Sequence, residues 1–139
     1  MKVIFKSKDY QVLEMIGFIS FMMIILTQRA IRPNSQGFDE SIKHLLGVVP
    51  NLLAGLAMSL AIFIYGKSYF DRFKLSAEKA MLASLAISIA GLTLWEYIQT
   101  AAHKSFDSED VLASILGSLL SALAIYLNIR YNRKHASLK

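Results

Sequence analysis

From Leu45 to Gly66 the chain runs for 22 residues without a single charged side chain. At about 1.5 Å of rise per residue, such a segment as a helix crosses the roughly 30 Å hydrocarbon core of a bilayer. A second run, Val111 to Ile129, has 19 uncharged residues. In a water-soluble four-helix bundle both would have to be enclosed on every side by only two other helices, because a surface helix needs a charged face and neither run has one. The rest of the chain agrees: 55% of its 139 residues are hydrophobic and 18% are charged, where soluble domains carry about 25%.

Two weaker runs complete the pattern. Ala80 to Trp95 gives 16 uncharged residues and reaches spanning length by continuing through Glu96 toward Thr100. Met15 to Gln28 gives 14 and is lengthened by Val12, Leu13 and Glu14. No run shows the period-two alternation of a strand. The expected fold is therefore all-α, a single transmembrane domain over residues 1–139, with helices near 11–29, 43–66, 78–101 and 109–131. The apolar run behind the N-terminus starts with a Glu and lacks a small-residue cleavage site, so the first helix is expected to be retained.

Lys and Arg flank the apolar runs in short clusters, which accounts for a net charge of +5 without a nucleic-acid partner. With both termini cytoplasmic, 11 basic residues lie inside and four outside, the asymmetry that the positive-inside rule favours. Residues 29–44 and 101–110 are then the outer loops. The partner expected on this basis is membrane lipid, and a homo-oligomer is compatible with the sequence. Small residues allow helices to meet closely in lipid. Ala113, Gly117 and Ser121 form one such line, and Ser84, Ser88 and Gly91 form another, which predicts contact between the third and fourth helices. Pro50 and Asn51 place a missing donor and an amide inside the second helix.

The chemistry-bearing side chains gather near the outer ends of the helices. Glu96 lies 16 residues beyond Ala80, or about 24 Å along a helix, which puts it some 6 Å below the outer edge of the core. An ionisable group at that depth is costly and points to a functional site. Gln99, Thr100 and His103 follow on the same helical face. Asp107 is placed to cap the fourth helix and Asp110 to sit at its third position, where an acid suits the helix dipole. Asp39 is placed likewise before the second helix, with Lys43 and His44 one turn later, and the Phe38-Asp39 and Phe106-Asp107 pairs hint at a duplicated hairpin.

The candidate ligand-binding set is thus Lys43, His44, Glu96, Gln99, His103, Asp107 and Asp110. Glu96 and His44 are also the candidates for acid-base catalysis. No cysteine is present, which removes thiol chemistry. No fixed-spacing metal signature, nucleophile elbow or phosphate loop occurs, so no metal or cofactor is expected. His135 belongs to the basic tail.

In Glu96-x-x-Gln99 near a helix end, the acidic loop with Asp107 and Asp110, the following apolar helix with Gly117, and Lys43-His44 entering an earlier helix, the chain resembles the VanZ-like family of small bacterial membrane proteins. The resemblance covers roughly Asp39 to Ser121. The chain has Lys104-Ser105-Phe106 where the family often has an Arg before its aspartates, and Ser114 where an Asn often stands. The resemblance implies a multi-pass protein of the bacterial inner membrane, an envelope component or small amphiphile as the partner of its outward-facing polar residues, and protection of the envelope against glycopeptides such as teicoplanin. Two other classes stay open at this point: a membrane enzyme acting on a lipid headgroup, and a structural or pore-forming protein whose polar residues serve helix association alone.

Overall fold

A computed structural model describes residues 10–101 and 105–136. Among them there is no strand, and four helical segments are long and apolar enough to cross a membrane: Gln11–Gly37, Glu40–Tyr65, Ala77–Ala101 and Ser108–His135. The chain is a multi-pass membrane protein by this criterion, all-α as its composition predicts. An even number of spans returns the chain to the side from which it set out. The two sides are called here the terminal face, where α1 starts and α5 ends, and the cleft face.

The first span is α1, Gln11–Leu26, prolonged by one π-helical turn over Thr27–Ile31 and a tight 3₁₀ stretch over Arg32–Gly37. The helical path therefore continues eight residues past the expected end at 29, into what the charge pattern marked as an outer loop. Asn34 Nδ2 and Ser35 Oγ donate to the carbonyls of Ala30 and Arg32, at 2.8 and 2.7 Å, and hold this extension. α2 is Glu40–Tyr65, capped by Asp39, whose carboxylate accepts from the Ser41 amide at 3.2 Å. It continues unbroken through the buried Pro50. A six-residue α3, Lys67–Arg72, occupies a connection whose residues show no helical pattern. α4 is Ala77–Ala101 and α5 is Ser108–Ala136.

The central pair is α2 with α5. Ser114 Oγ donates to the Asn51 carbonyl at 3.4 Å and Ser118 Oγ to the Gly55 carbonyl at 3.3 Å. Both contacts join residues 63 apart, so the two helices run in the same direction. At their crossing the backbones touch. A Cβ on Gly55 would overlap the Ser114 carbonyl, and a Cβ on Gly117 would overlap the Leu52 carbonyl. The arrangement is reciprocal: Gly55 sits against Ser114 and Ser118, three before and one after Gly117, while Gly117 sits against Leu52 and Leu56, three before and one after Gly55. One turn on, Ser59 and Ser121 repeat the match, and both are fully buried. This is the small-xxx-small geometry of lipid-embedded helix pairs, where close backbone approach replaces hydrophobic drive.

The third and fourth spans do meet, through a Ser88 Oγ to Ser118 Oγ contact of 3.4 Å. However, the Gly117 line that suggested this contact is taken by α2, and Gly91 faces open space. α1 packs on α2, with Gly17 set against Leu60. Toward the terminal face the seam gives way to an apolar core of Tyr10, Leu13, Leu60, Phe63, Ala80, Ile125 and Ile129. Tyr10 and Phe63 meet edge to face at 5.9 Å there. The outward sides of α1, α4 and α5 carry exposed Phe, Ile, Leu and Met, as surfaces solvated by lipid chains do.

Candidate functional site at the cleft face

Above the glycine crossing, α2 and α5 are no longer in backbone contact along glycines but face each other through Asn51, Asp110 and Ser114. With α4 alongside, they enclose a cleft of about 20 Å³ lined by Asn51, Leu92, Trp95, Glu96, Asp110, Val111 and Ser114. That volume admits one small polar group, of the order of a water molecule. Each polar liner arrives for a local reason. Asn51 follows Pro50, whose ring leaves the preceding turn one donor short. Asp110 is the third residue of α5, where the free amides of the first turn favour a carboxylate.

Glu96 is the hub of the α4 side. Its carboxylate accepts from Gln99 Nε2 at 3.4 Å and from the backbone amide of Asp107 at 3.4 Å, so the loop entering α5 folds against it. Thr100 Oγ1 donates to the Glu96 carbonyl at 3.0 Å. Asp107 accepts from the Glu109 amide at 2.9 Å and thereby caps α5, the role its position predicts. The Asn51 amide lies against the Asp110 carboxyl, and the charges of Glu96, Asp107 and Arg32 all act on Asp110.

Of the predicted set, Glu96 and Asp110 line this cleft, while Gln99 and the Asp107 amide bond to Glu96 beside it. Lys43 does not join them. It pairs with Glu40 at 2.9 Å, one turn back on its own helix. His44 Nε2 lies 3.3 Å from Glu109 on α5, so its carboxylate partner is Glu109 and not Glu96. His103 lies outside the described residues. Among the described residues no group of three His, Asp or Glu side chains is arranged to hold a metal ion.

Four contributors escaped the sequence argument as site residues. Asn51 and Ser114 were visible as polar breaks in apolar runs, a signal that also fits mere helix pairing. Trp95 reads as an interfacial anchor and is in fact 60% exposed while also lining the cleft. Arg32 gave no signal: it opens the 3₁₀ stretch that follows the π turn and packs against α2, and its charge acts on Asp110. Chemically, the cleft offers carboxylate and amide acceptors, an amide donor and one nearby guanidinium, with an indole as its apolar wall. No family model, curated protein or solved structure matches the chain.

Proposed function

We propose that the chain is a VanZ-like protein of the bacterial inner membrane, both termini cytoplasmic, whose outward-facing cleft binds the polar head of an envelope component or amphiphilic antibiotic. The observation that carries this reading is the convergence of Asn51, Glu96 and Asp110 from three different spans on one cleft. Asn51 and Glu96 lie well inside their spans, where polar groups are expensive in lipid, and their meeting with Asp110 from a third helix goes beyond what pairing any two helices requires. Glu96 and Asp110 supply acceptors for an amine or hydroxyl, Gln99 orients Glu96, and the exposed Trp95 offers a surface for an attached apolar chain. The small volume restricts the cleft to one functional group of the ligand, the remainder lying along the lipid-facing side of α4.

Two linked measurements test this. The absence of cysteine allows single Ser105→Cys and Ser76→Cys variants to be labelled on intact cells with a membrane-impermeant maleimide. Labelling at position 105 alone is expected; labelling at 76 alone would turn the cleft toward the cytoplasm and end the envelope reading. In a glycopeptide-sensitive bacterium, expression of the wild type is expected to raise the teicoplanin concentration needed to stop growth, and Glu96→Gln at equal expression to remove that protection. Equal sensitivity with and without the wild-type protein would reject the glycopeptide ligand.

A further inference from the structure

The terminal face carries a different chemistry from the cleft face. Among the described residues it holds seven Lys and Arg (Lys67, Arg72, Lys74, Lys79, Arg130, Arg133 and Lys134) against three acids, Glu14, Asp71 and Glu78. The cleft face is the reverse, with six acids against Arg29, Arg32 and Lys43. Of the terminal acids, Glu78 is taken up by an ion pair with Arg133.

The connection between α2 and α4 shapes part of this surplus into a hook. Phe70 turns inward under Gly66 and packs on the apolar core, which fastens α3 to the bundle. That leaves Tyr69 and Phe73 on the outside, 67% and 72% exposed, beside Tyr65 at 75%. α3 then closes through a paired end-motif: the Leu75 amide donates to the Phe70 carbonyl and the Lys74 amide to the Asp71 carbonyl, both at 3.0 Å. The residue at the pivot of such a motif adopts the left-handed conformation and is usually Gly. Here it is Lys74, at φ 52°, alone among the described non-glycine residues in having positive φ. A lysine held where glycine fits more easily sits between an exposed Phe73 and the start of α4, two residues from Arg72.

We propose that the hook over Gly66–Leu75 is a docking site for anionic phospholipid, with Arg72 and Lys74 meeting the headgroup phosphate and Tyr69 and Phe73 seated at the level of the glycerol backbone. A Tyr ring, with a wet hydroxyl and an apolar body, partitions to that level, an exposed Phe beside it adds apolar area at the headgroup–acyl boundary, and neighbouring basic residues attract anionic lipid within a Debye length. Charge complementarity selects the occupant. A zwitterionic lipid offers no net charge to the surplus of cations, and an acidic protein partner would leave Tyr69 and Phe73 no apolar layer to enter.

The full chain is reconstituted in vesicles of equal parts phosphatidylcholine and phosphatidylglycerol, extracted gently in detergent, and the lipids that remain bound are counted by mass spectrometry. Phosphatidylglycerol is expected to be enriched over its share of the vesicle, with the enrichment falling as salt is raised. Arg72→Gln and Lys74→Gln are each expected to lower the enrichment by about fivefold at low ionic strength. Bound lipid in the bulk ratio, or undiminished enrichment in the double variant, overturns the proposal. Lys74→Gly separates charge from folding. Relief of the left-handed strain is expected to hold or raise the melting temperature in pure phosphatidylcholine while the phosphatidylglycerol enrichment still falls, and retention of full enrichment by this variant would remove Lys74 from the site.

Discussion

The Gly55–Gly117 crossing and the cleft one turn away are built from the same two helices, yet one is closed and the other open. At the crossing the absence of two Cβ atoms lets carbonyls and Cα atoms meet, and a side chain of any size would push the helices apart. At the cleft, Asn51 and Asp110 stand in the corresponding space, and the room left between them and Glu96 is polar. Residue size at a single helical turn thus decides whether a pair of spans forms a joint or a site. The cleft keeps its shape because the joint beside it cannot slide.

This contrast is most severely tested at Gly117. Gly117→Val is expected to cost about 3 kcal/mol, the upper end for overpacking, because the overlap is with backbone that cannot rotate away. Denaturation in mixed micelles followed by helical circular dichroism measures it, and a loss below about 1 kcal/mol would mean that the crossing is looser than described. On the cleft side, Asn51→Leu leaves the Asp110 carboxyl without its amide neighbour and is expected to cost roughly 2 kcal/mol by the same assay. A gain in stability instead would show that the amide and carboxyl do not depend on each other.

Ser59 sharpens the comparison from inside the joint. Its Oγ is buried without a partner among the described residues, while the carbonyl four residues before it, that of Gly55, accepts from Ser118. Ser59→Ala is therefore expected to stabilise by about 1 kcal/mol, read from the same denaturation curve. The smallest effect belongs to Gly91. A Cβ there meets nothing within 4 Å, so Gly91→Ala is expected to add only roughly 0.5 kcal/mol through helix propensity. A destabilisation at Gly91 comparable to that at Gly117 would erase the distinction between glycine as a joint and glycine as filler.

The spans were legible in the sequence because lipid imposes a length and forbids uncompensated charge. Runs such as Leu45–Gly66 have no other inexpensive home. Partner choice was not legible. Gly117 announces that some backbone comes close, but in a medium as apolar as leucine nothing in the pattern says which helix it belongs to, and α2 took the place that α4 was expected to fill. The cleft was half visible for a related reason. Glu96 stands out as a costly carboxylate and Asp110 as an acid at a helix start, whereas the place of Arg32 follows from the π turn after Leu26, whose backbone course no local residue preference dictates. His44 found Glu109 because α2 and α5 start side by side, a consequence of their common direction.

That common direction bears on how the protein is made. The two helices of the joint are separated in the chain by α3 and α4, so when α2 enters the membrane its glycine face has no counterpart. At roughly 5–20 residues per second, the matching turn of α5 is synthesised about 3–12 seconds later. During that interval Asn51 and the bare backbone at Gly55 must be shielded by lipid, α1 or the insertion machinery. The fourth span is thus the one that closes on α2, and a chain cut short before Ser108 would lack this central contact.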